Sequence, residues 1–208
     1  MKMVIRIWLS VFFFSPCLFA QEMHQEHYDN GKLKASGKLD GGVKTRIWQY
    51  YYPDGTLNAE ENYQNGKLHG SVKYYDFAGH LTAIEHWENG LQEDSSQYFY
   101  SNGQMEKAGV FENGLYQGTW HFYYENGEVN RIGNYLDGLP EGEWTFYHEN
   151  GNLMQEGTYH QGKEHGEWKF YDKKGRLEYV GSYTNGERTG SWYYIDKKGR
   201  KQPVELEP

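Results

Sequence analysis

Histidines are the side chains of this sequence best suited to metal binding, and two pairs of them are close in the chain. His24 and His27 are three residues apart, and His160 and His165 flank a two-residue turn signal at 161–162. A zinc site needs three or four ligands, and neither pair has a third candidate beside it. The sequence therefore predicts no metal site and no cofactor.

The motifs of nucleophilic and phosphate chemistry are also missing. The chain has neither the G-x-S-x-G turn that presents a catalytic serine nor a glycine-rich loop followed by the lysine that holds phosphates. Its 29 acidic residues supply many carboxylate pairs by chance, so a pair at a suitable separation does not indicate glycoside hydrolysis. We therefore expect no enzymatic activity.

The first twenty residues have the pattern of a secretory signal peptide. Two cations precede an apolar run over 7–14 that is too short to span a bilayer, and cleavage is expected after Ala20. Cys17, the only cysteine, lies in this segment, and Pro16 before it disfavours lipoprotein anchoring. We expect an exported protein, periplasmic or secreted, whose mature chain forms no disulfide.

Composition restricts the classes of partner. Aromatic residues make up 18% of the chain and the mean hydropathy is −0.96, so the apolar burial must be largely aromatic. The net charge is −8, and removal of residues 1–20 leaves 19 cations against 29 acids, a net charge of −10. Nucleic acids and anionic membranes need a basic surface, so neither is expected to bind.

Glycine recurs every 24 residues without an insertion or a deletion. One series comprises Gly31, Gly55, Gly79, Gly103, Gly127, Gly151, Gly175 and Gly199, and a second runs in step from Gly42 to Gly186. A period of this length is typical of a repeat array. We expect one elongated domain over 28–199 with seven repeats and a partial eighth, preceded by a short segment at 21–27 and followed by a tail at 200–208.

Each repeat contains two turn signals and two short runs in which apolar residues alternate. In the unit 148–171 the turns are Asn150-Gly151 and Gln161-Gly162, pairs that tolerate positive φ. The alternation between them is that of strands, and strands joined by tight turns are antiparallel. The predicted fold class is all-β, an elongated antiparallel meander of stacked β-hairpins with about two strands per repeat.

The same spacing predicts a register. A two-residue turn at 161–162 places Gly157 opposite Gly166. If the next turn, over 173–174, is less tight but keeps the register, Gly166 lies opposite Gly181 and Trp168 opposite Tyr179. The glycines would align as a furrow across the sheet. Such a furrow is either covered by neighbouring aromatic rings or open to a ligand.

Residues 24 positions apart form a column of equivalent positions in the repeats. The regular columns of glycine and tryptophan are interrupted in the stretch 76–99. Ser96 stands in the tryptophan column, Asp94 in the glycine column two residues before it, and Glu85 where later repeats have glycine. This unit has decayed under weak constraint, bends the array, or presents a specialised acidic surface. In the last case Glu61, Glu85, Glu93 and Asp94 would form a partner-facing acidic patch.

The segment 124–147 resembles the MORN repeat, in particular its bacterial 24-residue variant. It runs from Tyr124-Glu125-Asn126-Gly127 to Gly142-Glu143-Trp144-Thr145-Phe146-Tyr147. The resemblance covers about 28–199 and implies a sheet of stacked hairpins that acts by contact. Bacterial members of this group are often described as antitoxins of YwqK-type toxin–antitoxin pairs, which implies a protein partner.

We therefore expect a non-enzymatic, exported scaffold for protein–protein interaction, with an antitoxin-like or immunity-like role implied by the resemblance. Its candidate binding face comprises Trp120, Trp144, Trp168, Trp192, Tyr135, Tyr159 and Tyr183. The alternative is a carbohydrate or cell-wall binding module, which would leave the tryptophans accessible, whereas a scaffold would pack them. The chain ends either cap the edges of the sheet or join two molecules end to end.

Overall fold

The computed structural model describes residues 23–205, and all regular structure in this range is β-strand. The predicted signal peptide lies outside these described residues. The strands are β1 Met23–His27, β2 Leu33–Asp40, β3 Val43–Tyr51, β4 Leu57–Gln64, β5 Lys67–Leu68, β6 Gly70–Tyr75, β7 Leu81–Glu88, β8 Leu91–Gln92, β9 Asp94–Phe99, β10 Met105–Glu112, β11 Leu115–Tyr123, β12 Val129–Leu136, β13 Leu139–Tyr147, β14 Leu153–His160, β15 Lys163–Tyr171, β16 Leu177–Thr184, β17 Glu187–Ile195 and β18 Lys201–Val204. Within 23–205 no helix is long and apolar enough to cross a lipid bilayer.

The strands form one antiparallel sheet in which pairing follows chain order. Apart from the two outermost strands and two divided strands, each strand pairs with its predecessor and its successor. At two places one long strand is divided, so that β5 and β6 both pair with β4, and β8 and β9 both pair with β7. The sheet is open, with β1 and β18 outermost. The predicted meander of hairpins, two strands per repeat, is confirmed.

Two kinds of tight turn alternate along the chain and therefore lie at opposite ends of the strands, along the two long sides of the sheet. In the first kind, as at Asn113-Gly114, both central residues have positive φ (52° and 78°), which is the type I′ hairpin turn. In the second kind, Gly127 N–H donates to the carbonyl of Tyr124 at 2.9 Å and Tyr124 N–H donates to the carbonyl of Glu128 at 2.8 Å. This is a three-residue loop closed by a glycine bulge. We call these two long sides, which are formed by turns and not by edge strands, the I′ edge and the bulge edge.

On the bulge edge, successive repeats are joined by side-chain hydrogen bonds. The hydroxyl of Tyr124 donates to the carbonyl of Tyr147 in the next repeat at 2.7 Å, and Asn126 donates to the carbonyl of Glu149 at 3.1 Å. Where aspartate replaces the tyrosine, as at Asp172, its carboxylate instead accepts backbone N–H groups of its own loop. Tyrosine at this position therefore bonds to the next repeat, whereas aspartate caps its own loop.

The register at the second kind of turn differs from the predicted one by two residues. Gly166 pairs with Tyr183 rather than with Gly181, and Trp168 pairs with Gly181 rather than with Tyr179. The loop over 173–175 has three residues instead of two, which shifts the ladder by one. An additional unpaired residue at 178 shifts it by one more.

The predicted pairing of Gly157 with Gly166 is also wrong, because a bulge interrupts the strand at Gly166. The β14–β15 ladder passes from Thr158–His165 directly to Glu156–Lys169. The equivalent residue has positive φ in every repeat: Arg46 (59°), Gly70 (86°), Asp94 (61°), Gly118 (63°), Gly142 (73°), Gly166 (74°) and Gly190 (65°). The glycines two residues before tryptophan therefore allow the positive φ at which the strand bulges and bends.

The largest side chains of the core are tryptophans, whose rings lie over a different column of glycines. Trp168 is 2% exposed, and a Cβ built on Gly157 would lie 2.2 Å from its Cδ2 atom. The indole N–H of Trp168 donates to the carbonyl of Thr158 at 3.2 Å. The same arrangement recurs at Trp48, Trp120, Trp144 and Trp192. The glycines are therefore covered by aromatic rings instead of forming an open furrow.

Candidate functional site

One face of the sheet carries the tryptophans together with a row of tyrosines, and we call it the aromatic face. The ring of Tyr159 contacts both Trp144 and Trp168, with centroids 5.4 and 5.2 Å away. Tyr183 contacts Trp192 at 5.1 Å in an edge-on arrangement, which is a favoured geometry for aromatic pairs. The seven residues of the predicted binding face form one continuous chain of ring contacts. They are Trp120, Trp144, Trp168, Trp192, Tyr135, Tyr159 and Tyr183.

The two residue types of this face differ in what they present to a partner. The four tryptophans are at most 4% exposed, so a partner cannot stack on their rings. Tyr135, Tyr159 and Tyr183 are half-buried, and no hydrogen bond within residues 23–205 engages their hydroxyl groups. Burial, with a smaller contribution from Glu164, raises the pKa of Tyr159 to about 12, so this hydroxyl remains a neutral donor and acceptor. A partner on this face would contact the tyrosines.

Two repeats replace the glycine–tryptophan pair by a glutamate and a smaller residue. Glu61 occupies the glycine column and Val72 the tryptophan column; Glu85 and Ser96 are the corresponding pair of the next repeat. Val72 and Ser96 are at most 1% exposed, and Glu85 is 9% exposed. The glutamate side chain occupies the side of the sheet that the indole covers elsewhere. In the stretch 76–99, the larger Glu85 in place of glycine is therefore compensated within the core by the smaller Ser96 in place of tryptophan.

The carboxylates of Glu85, which is buried, and of Glu61, which is half-buried, receive hydrogen bonds from aromatic donors. Tyr98 donates to Glu85 at 2.8 Å, and the indole N–H of Trp87 donates to its other oxygen at 2.9 Å. Tyr63 donates to Glu61 at 2.6 Å. Burial and the adjacent glutamates raise the pKa of Tyr63 and of Tyr98. A buried carboxylate is tolerated only with such partners, which explains why tyrosines surround these glutamates.

The four residues of the predicted acidic patch have separate roles in the structure. Glu61 and Glu85 lie on the aromatic face with their carboxylates engaged by those donors. Glu93 accepts the backbone N–H of Asn113 at 2.9 Å and so caps the next I′ turn. Asp94 is exposed at a strand bulge, where its carboxylate accepts the N–H of Ser95. Contact of this set with a partner stays a prediction.

Cations on the aromatic face were not found by the sequence analysis. Lys107 Nζ lies 4.2 Å from the ring centroid of Tyr98 and donates to the hydroxyl of Tyr116 at 2.8 Å. The guanidinium of Arg131 lies 4.0 Å from the centroid of Phe122, within the range of cation–π attraction. Both stand two residues before the covered glycine of their repeat. That column also contains alanine, glutamine and tyrosine, so its residue types alone do not mark a site.

The predicted histidine pairs make contacts with other side chains. His160 Nδ1 lies 3.0 Å from a carboxylate oxygen of Glu141, and its ring centroid lies 5.9 Å from that of His165. The ring of His24 lies 5.8 Å from Trp48. In the part of the chain that the structure describes, no group of three or more potential ligands could hold a metal ion.

Comparison with known proteins identifies the repeats. The family model described as "MORN repeat variant" matches residues 47–65, 116–137, 140–161 and 164–185. The longest gap between matches, 66–115, contains Glu85 with Val72 and Ser96, whereas Glu61 lies inside the first matched stretch. A search of curated protein sequences gives no match.

Solved structures give matches of low similarity. The crystal structure of TcdB2-TccC3-Cdc42 is 14% identical with a TM-score of 0.20, and the match covers 83% of this chain and 13% of that chain. A porin-like protein from Bacteroides uniformis is 9% identical with a TM-score of 0.21, and the match covers 82% of this chain and 88% of that chain. TM-scores of this size support no argument about fold or function.

Two independent observations agree on the family. The model of the family matches four stretches of the sequence, and the same 24-residue hairpin unit continues through the described sheet from β2 to β17. MORN repeats are generally interaction modules. Four stretches of this chain are thus repeats of the MORN repeat variant.

Proposed function

We propose that this chain is a non-enzymatic, exported scaffold that binds a protein partner along its aromatic face. The observation that carries the proposal is the row of Tyr135, Tyr159 and Tyr183, half-buried and spaced 24 residues apart. Their rings are held against buried tryptophans, and their hydroxyl groups have no hydrogen-bonding partner in 23–205. Rigid aromatic side chains with a polar tip are enriched at protein interfaces because little conformational entropy is lost on binding.

Export and the immunity-like role form the finer part of the proposal. The signal-peptide pattern of residues 1–20 supports export, and the net charge of −10 after cleavage favours a partner other than nucleic acid or an anionic membrane. An antitoxin-like or immunity-like role is supported by the resemblance alone. In that case the partner is a toxin that meets the chain outside the cytoplasm.

The carbohydrate-binding alternative has less support. A sugar ring binds by stacking on an accessible aromatic face, and tryptophan is the best such platform in this sequence. All four tryptophans of the candidate face are at most 4% exposed, and their rings cover glycines of the sheet. The packed arrangement is the one expected of a scaffold.

An affinity capture from the native cell envelope, with residues 21–208 as bait, tests the proposal. The informative variant changes Tyr135, Tyr159 and Tyr183 to phenylalanine, which keeps the rings and removes only the hydroxyl groups. A matched control changes Tyr123 and Tyr147 to phenylalanine, because these residues lie on the opposite face by strand alternation.

We expect a stoichiometric protein that the wild type and the control retain and that the triple variant loses. Each lost hydrogen bond should contribute about 1 kcal/mol. Equal capture by all three chains would reject the aromatic face as the binding site. Retention of the bait on purified wall polymer, with no protein partner, would favour the carbohydrate module instead.

A further inference from the structure

Three leucines form an exposed row on the I′ edge, away from the aromatic face. Leu91, Leu115 and Leu139 occupy equivalent positions, each directly after the glycine of an I′ turn, and they are 49%, 48% and 51% exposed. Their hairpins are consecutive, and neighbouring hairpins are two strands apart, so about 9.6 Å separates one leucine from the next. We call these three residues the leucine row.

The leucine row is continuous and rigidly supported. Leu115 Cδ2 lies 3.4 Å from where a Cβ on Gly138 would be, so each leucine reaches the glycine of the next turn. Backbone bonds also join the turns: Gly114 N–H donates to the carbonyl of Gln92 at 2.9 Å, and Gly138 N–H donates to the carbonyl of Tyr116 at 3.0 Å. Binding at this row would therefore require little ordering of the chain.

The charges beside the leucine row select the kind of occupant. Glu88, Glu112 and Asp137 are exposed on the same turns, and these turns contain no lysine or arginine. Lys67 and Lys163 take the leucine position in the repeats on either side, which sets the limits of the row. A second copy of this chain would bring acidic turns against acidic turns, which is unfavourable. A partner with basic side chains beside apolar ones is complementary.

The geometry also selects the conformation of the occupant. The turn N–H groups that a strand would need are already used, since Asn113 N–H donates to Glu93 and Asp137 N–H donates to Gln117. Contact must then be made through side chains. A helix presents its apolar side chains every seven residues, about 10.5 Å apart, which is close to the spacing of the row. We propose that the leucine row docks a basic, amphipathic helix of a partner protein.

A designed peptide tests this proposal without knowledge of the natural partner. The probe is a fluorescent helical peptide of about three heptads, with leucine at its apolar positions and lysine or arginine at its flanks. Its anisotropy is measured against residues 21–208. The test variant is Leu91→Gln/Leu115→Gln/Leu139→Gln. The control is Ile47→Gln/Phe77→Gln, since these residues are 60% and 70% exposed and lie outside the row.

We expect the triple variant to bind the peptide at least about tenfold more weakly than the wild type, from the apolar area removed, while the control binds normally. Charge reversal, Glu88→Lys/Glu112→Lys/Asp137→Lys, should exclude the basic peptide and admit one with glutamate at the flanks. Equal binding by the triple variant, or no binding by the wild type, would overturn the proposal. So would a wild-type dimer in light scattering that the triple variant abolishes.

The proposals for the leucine row and for the aromatic face can be refuted independently of each other. The phenylalanine variant of Tyr135, Tyr159 and Tyr183 retains the whole leucine row, so it should bind the peptide as the wild type does. Loss of peptide binding in that variant would contradict the separation of the two surfaces. Loss of the envelope partner in the same variant, with peptide binding intact, would support both.

Discussion

The packing of Trp168 on Gly157 predicts that one methyl group at Gly157 is costly, and that the cost depends on the tryptophan. The backbone at Gly157 does not have positive φ, so alanine is compatible with the strand there. An added Cβ would nevertheless lie 2.2 Å from Cδ2 and 2.3 Å from Cε2 of the indole. Since no real Cβ tolerates such distances, the ring or the strand must move in Gly157→Ala.

The expected loss can be estimated from the contacts that would be disturbed. Overpacking a well-packed core costs about 1–3 kcal/mol, and displacement of the ring also weakens the bond from Trp168 to the carbonyl of Thr158, worth about 1 kcal/mol. We expect Gly157→Ala to lower the free energy of unfolding by about 3 kcal/mol. In a Trp168→Val background the obstacle is absent, and the same change should cost about 0 kcal/mol, because alanine is favoured over glycine in a strand.

A double-mutant cycle measured by urea denaturation, followed by circular dichroism, tests this coupling. Gly166→Ala is the matched control, because a Cβ there meets nothing within 4 Å but the residue has a φ of +74°. Its cost of about 1–2 kcal/mol comes from the backbone alone and should be the same with Trp168 or Val at position 168. If Gly157→Ala costs as much without the indole as with it, the packing argument is refuted.

Three further predictions concern the irregular repeats and the tyrosines. Arg46→Gly should raise the free energy of unfolding by about 1 kcal/mol, because Arg46 has a φ of 59° where most repeats have glycine; an unchanged or lower thermal midpoint would contradict this. Glu85→Ala should cost about 2–3 kcal/mol by leaving the donors of Trp87 and Tyr98 unpaired, and Glu85→Gln should cost clearly less; equal losses would speak against the buried hydrogen bonds. The pKa of Tyr159 is raised from 10.0 to about 12 in the folded chain, so the stability that it confers is complete below pH 10 and is lost as the pH rises through 12. Tyrosinate absorbance should therefore appear at higher pH in the native chain than in urea, and coincident titrations would refute the prediction.

Local sequence signals accounted for the strands and for one kind of turn. Asn113-Gly114 and its equivalents are short-range signals, since positive φ at two adjacent residues leads to a hairpin whatever lies elsewhere. The register depends on counts that these signals do not contain. The three-residue loop before Arg176 and the bulge at Gly166 each move the ladder, and both are defined by hydrogen bonds between strands.

The candidate site was predictable to a similar extent. The 24-residue period places Tyr135, Tyr159 and Tyr183 on one face, because side-chain direction in a strand follows the parity of the position. The burial of the tryptophans and the placement of Glu85 could not be inferred in this way. Burial depends on which rings close over the glycines, and this is decided by side chains from neighbouring strands.

The sequence by itself therefore determined the repeat length, the all-β class and the order of hairpins, because each of these follows from backbone preferences within one repeat. The tertiary structure decided which residues are core and which are surface. Glu85 replaces glycine where Ser96 replaces tryptophan because the two positions share one volume on the aromatic face. Such compensation arises from packing across a hairpin, between residues that are 11 positions apart in the chain.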